Sequence, residues 1–289
     1  MNIKEQVSLA PYTTFKIGGP ARFYCSVETE DELVEACRFA YEKNVPVFIL
    51  GGGSNVLISD KGFQGMVIRV RMKGIEFSVA PDGEVVVSAG AGEMWDDLVE
   101  KTVAGGLYGL ENLSAIPGTV GAAPVQNIGA YGAEIAETLI SVHALHMPTM
   151  SFVTLSKEDC KFMYRDSVFK HEKGRYVITN VNLKLSRDTG VDISYKDLKE
   201  YFAKREQTAP TLQNVRDAVI DIRWNKLPDW KLWGTAGSFF KNPIISAEQF
   251  EALKEKYPDI PGFPELDGRV KFALGWVIDK VCNMKGICL

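Results

Sequence analysis

The sequence is poor in histidine and cysteine and has no long apolar run. Its three histidines and five scattered cysteines form no C-x-x-C pair, which argues against a disulfide framework and a structural zinc site. No stretch reaches the roughly 18 uncharged apolar residues of a membrane span, and charged residues stand where a signal peptide has its apolar core. We therefore expect a cytoplasmic protein with free thiols, no membrane segment and no metal site.

An excess of basic residues is also missing. The 33 Lys and Arg against 37 Asp and Glu leave a net charge of −4, so the electrostatic footprint of a nucleic-acid-binding protein is absent. A hydrophobic content of 46% and a charged content of 24% are ordinary for a folded chain, and 289 residues correspond to about two domains. We expect a globular protein that does not bind nucleic acid.

Glycine is average in number but uneven in placement, because 16 of the 26 glycines lie between Gly51 and Gly132. A short apolar strand, 45–50, is expected to run directly into Gly51-Gly52-Gly53-Ser54-Asn55. Such a turn lets backbone N–H groups converge on an anion such as phosphate, although a tight turn without a ligand fits the same residues. The dinucleotide fingerprint G-x-G-x-x-G fails at Val56, and no P-loop sequence is present.

Local patterns predict a mixture of helices and strands. Thr29 and Glu32 form an expected capping box for a helix that stops before Pro46, and residues 56–58 are expected to form a strand. Alternating apolar residues predict a half-exposed strand over 177–185, and helical spacing predicts a final helix from Val270 to about Val281. The pattern is α+β.

Further motifs follow the glycine turn in the order Gly51 to Leu57, Gly109 to Leu113, Ile116 to Gly132, Tyr164 to Lys170 and Gly237 to Pro243. In this order they resemble the motifs of the UDP-N-acetylenolpyruvoylglucosamine reductases, a family of flavoenzymes. Within that family they resemble the first type. The similarity runs in one register from about Thr14 to Gly286. Several independent motifs in one order argue against a chance similarity.

The resemblance implies an α+β fold with a two-lobed FAD-binding domain of the vanillyl-alcohol-oxidase (PCMH) type, followed by an α+β substrate domain. We expect the FAD-binding domain at 1–187, with lobes at about 1–72 and 73–187, a connecting segment at 188–225, and the substrate domain at 226–289. The implied activity is the NADPH-dependent reduction of an enolpyruvyl ether on a UDP-sugar to UDP-N-acetylmuramate, a step of peptidoglycan precursor synthesis. A monomer is expected.

The same resemblance assigns FAD to the two glycine-rich segments. The implied contacts are Gly51, Gly52, Gly53, Ser54, Asn55, Ile116, Pro117, Gly118, Gly121, Ala122, Gln126, Asn127, Gly129, Ala130 and Tyr131. Tyr164 is expected to pack beside Arg165 and the flavin, and Tyr195 to close over the bound substrate. Lys226 and Asn242 resemble the family's ligands for the substrate diphosphate.

Arg165 and Ser238 are the expected catalytic residues. A guanidinium grips a carboxylate through two parallel hydrogen bonds and stays charged at any working pH, so Arg165 suits the enolpyruvyl carboxylate; an ion pair with Asp166 is the structural alternative. Ser238 lies among small residues and resembles the family's proton donor, while a helix cap or a turn is its structural alternative. Ala236-Gly237-Ser238-Phe239-Phe240 is not the G-x-S-x-G of a hydrolase.

The family pattern continues beyond the residues matched at Leu274 to Gly286, to a last strand that bears a catalytic glutamate. This sequence has no counterpart of that glutamate, so we expect the substrate domain to be incomplete. A flavin-binding homologue with impaired turnover is the alternative, because losing one positioned acid typically slows a reaction by about 10²- to 10⁴-fold. Another oxidase of the same flavin fold is disfavoured, because Ser238 and Arg165 lie in motifs of the reductase.

Overall fold

The structure is a computed structural model that describes residues 1–237, 239–265 and 267–286. The chain divides into two compact units, Met1–Ala236 and Gly237–Leu289. The boundaries expected near residues 187 and 225 stay predictions. No helix in the described parts of the chain has both the length and the apolar character needed to cross a bilayer.

A four-stranded sheet opens the first unit. Its strands are β1 (Lys4–Ser8), β2 (Pro20–Val27), β3 (Val47–Leu50) and β4 (Phe63–Val70), in the order β1-β2-β4-β3. β2 and β3 pair in parallel with β4, whereas β1 is antiparallel to β2. The expected strand over 56–58 is wrong, because these residues pair with no strand in the described chain; instead Ile58 packs against the backbone of Gly18.

A five-stranded antiparallel sheet forms the rest of the strand framework of this unit. Along the chain come β5 (Ile75–Val79), β6 (Val85–Gly90), the short pair β7 (Gly129–Ala130) and β8 (Ala133–Glu134), then β9 (Leu139–His146), β10 (Ser151–Ser156) and β11 (Tyr176–Leu185). The sheet order is β10-β9-β11-β6-β5, while β7 and β8 form a separate ribbon. β11 confirms the strand that alternation predicts over 177–185, and its central position explains the buried alternate residues.

The helices of the first unit are α1 (Glu30–Glu42), α2 (Trp95–Ala104), α3 (Ile135–Thr138), α4 (Val168–His171), α5 (Lys196–Ala203) and α6 (Leu212–Lys226). α1 confirms the first predicted helix, but its capping box is only half formed. The Thr29 hydroxyl accepts from the N–H of Glu32 at 3.2 Å, whereas the Glu32 carboxylate accepts from the N–H of Glu28 at 2.7 Å. The expected return bond to Thr29 is therefore replaced by one to the preceding residue.

One apolar core joins the two sheets. It contains the face of β2 and β4 that α1 covers, together with the inner residues of β6, β9 and β11 and the apolar side of α2. The opposite face of the first sheet forms a smaller cluster around Leu50 and Val67, and α5 packs on α6 through Leu198, Phe202 and Val219. The glycine segments therefore connect elements that one packed core holds in place.

Three cysteine thiols lie in this core without a disulfide partner. Burial raises the pKa of Cys25 to about 12, of Cys37 to about 11 and of Cys160 to about 12. Since the thiolate is the reactive form, these thiols act as small apolar side chains.

The second unit has a small antiparallel sheet, with β12 (Ile244–Ile245), α7 (Ala247–Lys256), β13 (Gly262–Pro264) and β14 (Val270–Phe272), followed by α8 (Leu274–Trp276) and a π-helical turn, Val277–Val281. Its strand order is β12-β14-β13. The helix expected from Val270 is wrong at its start, because Val270 pairs with Ile245 and Pro264. Pairing on both sides overrides the local helical spacing.

A single ion pair ties α2 to α6. Both guanidinium nitrogens of Arg216 donate to the carboxylate of Asp96, at 2.7 and 3.1 Å, and the N–H of Ala115 donates to the same carboxylate at 2.6 Å. Burial raises the pKa of Asp96, but the hydrogen bonds from Arg216 and Ala115 and the charge of Arg223 hold it below its ordinary value overall. The Arg216 side chain is 6% exposed and the Asp96 side chain 37%, so the guanidinium is shielded from solvent while the carboxylate is partly exposed.

Arg216→Met is expected to lower the free energy of unfolding by about 2 kcal/mol, because it removes two charge-assisted bonds from a carboxylate that is only partly hydrated. The loss should shrink as the pH falls below about 3.9, the ordinary pKa of aspartate, since a lowered folded-state pKa stabilises only above that range. Urea unfolding at several pH values measures it. Lys184→Met, at an exposed pair with Asp82, is the control and should leave the free energy of unfolding nearly unchanged; equal losses would contradict the assignment.

Candidate active site

The site begins where β3 ends and the chain turns at Gly51 and Gly52. A Cβ atom on Gly52 would lie 2.7 Å from the Cα of Gly118, and one on Gly51 would lie 2.7 Å from the hydroxyl of Thr119. Contacts this short leave no room for a side chain, so the two glycine segments meet backbone to backbone. The structure therefore brings together the two segments that the sequence assigns to one ligand.

Polar side chains fasten these two segments to each other. The Ser54 hydroxyl donates to the carbonyl of Pro117 at 2.9 Å, and the Asn55 amide donates to the side chain of Gln126 at 2.5 Å. Three side chains that the sequence predicts as cofactor ligands thus make bonds within the protein. Their contribution to a ligand site is to hold the backbone in place.

Several backbone N–H groups at this junction have no protein partner. In the described part of the chain, the amides of Gly52, Gly53, Gly118 and Thr119 donate to no protein acceptor. Gly53 and Gly118 have φ values of 65° and 128°, conformations that glycine adopts readily. Unpaired amides in buried backbone cost about 1–3 kcal/mol each unless a ligand or water accepts from them. The junction therefore suits an anion with several acceptor oxygens.

Other residues of the second segment serve packing. A Cβ on Gly121 would lie 2.5 Å from the Cβ of Ala91, and the N–H of Gly121 donates to the carbonyl of Ala91 at 2.9 Å, so this glycine fits the segment against the end of β6. The Cβ of Ala122 faces Gly51, while Ile116 and Ala130 are half-buried against the main core. Backbone, more than side chains, is available to a ligand here.

Sequence reasoning missed Asn112, which holds the far end of the second segment. Its amide donates to the carbonyls of Tyr131 and Asp192, both at 3.0 Å. The side chain is nearly fully buried, and its Oδ1 has no partner among the described residues. In the sequence, Asn112 is marked only by its place in a polar pair with Glu111 between two leucines. Its contacts with residues distant in sequence show what it does.

Arg165 lies on a tight turn between Met163 and Asp166, whose backbones bond each other in both directions. Its own φ is 54°. The guanidinium donates to the carbonyl of Asn127 at 3.2 Å and to the carbonyl of Gly129, and it lies 5.5 Å from the ring centroid of Tyr164. Carbonyls orient the side chain without neutralising it, and three of its five N–H groups are not used in these bonds.

Three tyrosines gather beside the end of the second segment. The rings of Tyr131 and Tyr195 meet edge to face, with centroids 5.5 Å apart. Burial raises the pKa of Tyr131, against the lowering effect of Arg223, which hydrogen-bonds its hydroxyl. Burial and the charge of Asp197 raise the pKa of Tyr195, and Tyr164 is close enough to contribute to the same rise. The hydroxyls of Tyr131 and Tyr195 therefore stay neutral at working pH.

Tyr195 precedes α5 and is 43% exposed, so it is accessible for contact with a ligand. Lys226 ends α6 and donates to Asp197 at 2.6 Å. Lys226, which the sequence predicts to bind the substrate diphosphate, is therefore already paired with Asp197. An incoming anion competes with Asp197 for the Lys226 ammonium group.

The remaining two predicted residues belong to the second unit. The side-chain Oδ1 of Asn242 accepts from the N–H of Leu274, the first residue of α8, at 3.1 Å. Ser238 lies outside the described residues. The part of the site that the structure assembles is thus the first-unit part, with the glycine segments, Arg165 and the tyrosines.

A family model and several known proteins match this chain. A family model described as an FAD binding domain matches residues 21–155. The UDP-N-acetylenolpyruvoylglucosamine reductase of Neisseria gonorrhoeae is 47% identical over 98% of this chain and 82% of its own length, and that of Pseudomonas syringae pv. tomato is 42% identical over 97% of this chain and 82% of its own length.

Among solved structures, UDP-N-acetylenolpyruvylglucosamine reductase from Thermus caldophilus is 27% identical, with a TM-score of 0.61 over 94% of this chain and 87% of that one. The chain belongs to the UDP-N-acetylenolpyruvoylglucosamine reductase family, a family of FAD-dependent oxidoreductases.

Proposed function

We propose that the glycine junction holds the diphosphate of FAD, that Arg165 holds the substrate carboxylate, and that the chain reduces UDP-N-acetylenolpyruvoylglucosamine with NADPH as hydride donor. Membership of the family supports the reaction. The observation that carries the site assignment is the meeting of unpaired amides from two segments, the second of which also holds the guanidinium of Arg165 through its carbonyls.

The residues present fit the cofactor. The amides of Gly52, Gly53, Gly118 and Thr119 are donors without protein acceptors in the described chain, and a diphosphate supplies acceptor oxygens. The backbone-to-backbone contact of Gly52 with Gly118 brings the two segments that carry these donors together, which supports the proposal. When bound, FAD supplies the transfer of hydride between NADPH and the enolpyruvyl group.

Arg165 stabilises the charge that develops on the substrate. As the enolpyruvyl group takes up hydride at its vinyl carbon, negative charge moves toward its carboxylate. Because backbone carbonyls hold the guanidinium, its charge is oriented before the substrate arrives and little reorganisation is needed. Tyr164 and Tyr195, both beside this position, are proposed to limit water and to cover the substrate.

Protonation completes the reaction at the carbon next to the one that receives hydride. We assign the proton to the Ser238 hydroxyl from its position in the family motif. Lys226 and Asn242 are assigned to the substrate diphosphate in the same way, with Lys226 leaving Asp197 for the stronger anion. We also propose that the enzyme works as a monomer in the cytoplasm.

Gly52→Ala tests the cofactor site. The added methyl would lie 2.7 Å from Gly118 and separate the two segments, so we expect the affinity for FAD to fall at least about 10-fold, or about 1.4 kcal/mol. Titration of the apoprotein with FAD, followed by flavin fluorescence, measures the change. Gly105→Ala is the matched control, because a Cβ there meets its nearest atom at 3.4 Å and the φ of −79° suits alanine. Unchanged affinity in Gly52→Ala would sink the assignment.

Arg165→Lys and Ser238→Ala test the chemical roles. Each should leave the reduction of bound flavin by NADPH within about threefold of the wild-type rate, but slow the reoxidation of reduced flavin by the enolpyruvyl substrate at least about 10²-fold. Anaerobic stopped-flow absorbance follows the two half-reactions separately. Equal slowing of both half-reactions would rule out roles confined to the substrate step.

A further inference from the structure

The turn that carries Arg165 is bound to the second glycine segment by a set of buried polar side chains. We call Asn127 and Ser167, with the bonds described below, the arginine clamp. Asn127 is 1% exposed and Ser167 is fully buried. Neither side chain reaches solvent, so every bond either one makes is internal to this part of the first unit.

Asn127 uses both ends of its side-chain amide. Its Nδ2 donates to the carbonyl of Met163 at 3.1 Å and to the carboxylate of Glu134 at 2.6 Å, and its Oδ1 accepts from the N–H of Ala136 at 3.1 Å. A buried side chain with three bonds has no donor left for a bound cofactor. The expected contact of Asn127 with FAD stays a prediction, and this side chain has no free N–H group for it.

Ser167 makes the parallel connection on the other side of the turn. Its hydroxyl donates to the carbonyl of Val125 at 2.6 Å. Met163 and Ser167 flank Arg165 at equal distance in sequence, and Val125 and Asn127 lie two residues apart in the glycine segment. The two bonds therefore hold the turn to the segment at both of its ends.

The guanidinium of Arg165 makes a third connection between the turn and the second glycine segment. It donates to the backbone carbonyls of Asn127 and Gly129, and a Cβ on Gly129 would lie 2.7 Å from its Nη1. The carbonyl of Arg165 in turn accepts from Lys170 at 2.8 Å. Because the clamp holds the carbonyls and the turn together, it fixes both the origin of the arginine side chain and the groups that orient its tip.

We propose that Asn127 and Ser167 are positioning residues for the catalytic cation and set the orientation of the Arg165 guanidinium without touching the substrate. This inference rests on the proposed function of Arg165. A purely structural role would lower stability and affect both half-reactions alike. A positioning role instead slows the substrate half-reaction and exposes the guanidinium, while flavin reduction continues.

The test uses the 289-residue chain with bound FAD and the variants Asn127→Gly and Ser167→Ala. Asn127 has a φ of 44°, which glycine adopts without strain, so Asn127→Gly removes the side-chain bonds and keeps the backbone conformation. Ser167→Ala removes one hydroxyl and keeps the volume. The exposed Asn44, with a φ of 50°, gives the matched control Asn44→Gly, and Thr102→Val removes a buried hydroxyl bond inside α2.

Two readouts are compared. Phenylglyoxal, an arginine-selective reagent, is applied to each protein and the modification of Arg165 is followed by peptide mass spectrometry. We expect its rate to rise at least threefold in Asn127→Gly and Ser167→Ala and to stay unchanged in both controls. We also expect the substrate half-reaction to slow about 10-fold or more, with flavin reduction within twofold.

The outcomes separate this inference from the proposed function. If Arg165→Lys slows the substrate half-reaction but the clamp variants change neither the labelling rate nor that half-reaction, the positioning role is overturned and the function of Arg165 stands. If Arg165→Lys leaves the substrate half-reaction unchanged, the proposed function itself fails. Should Asn127→Gly not retain FAD, Ser167→Ala decides the question, and equal slowing of both of its half-reactions contradicts positioning.

Discussion

The site depends on one steric constraint, the approach of the Gly52 backbone to the Gly118 backbone at a distance that excludes any Cβ. This contact joins a turn that leaves the first sheet to a segment that crosses the second. Backbone amides of both segments then lie close together. The Ser54 hydroxyl, next to the junction, bonds the first segment to the carbonyl of Pro117 in the second. The attraction for an anion comes from backbone dipoles, whose direction is fixed by the fold and does not change with pH.

One helix holds both ends of the second glycine segment. Arg216 and Arg223 are seven residues apart on α6 and so lie on the same face. Arg216 acts through Asp96 on the N–H of Ala115, before the segment, and Arg223 bonds the hydroxyl of Tyr131, near its end. α6 also packs on α5, which begins just after Tyr195. The segment and the exposed tyrosine are therefore supported by one packed helix pair.

Local signals predicted much of the fold. Apolar periodicity and a cap gave α1, and alternation gave β11, because the residues that decide those elements lie within each element. The predictions for the start of β14 and for residues 56–58 were wrong for the opposite reason. At both places the structure depends on whether a neighbouring strand is present to pair with. Family motifs pointed to the glycine segments and to Arg165. The hydrogen bonds of Asn127 and Asn112 could not be predicted, because their partners are distant in sequence and no local pattern contains them.

The bonds that build the site join residues far apart along the chain. Ser54 and Pro117 are separated by 63 residues, Asn55 and Gln126 by 71, and Arg165 and Asn127 by 38. Closing such loops costs chain entropy before the contacts compensate for it, so bonds of this kind depend on tertiary structure that is already in place. A partly folded chain that has helices and isolated hairpins therefore presents neither the amide surface nor the oriented cation. Cofactor and substrate accordingly select the completed first unit over its folding intermediates, and their binding free energy adds to the stability of that state alone.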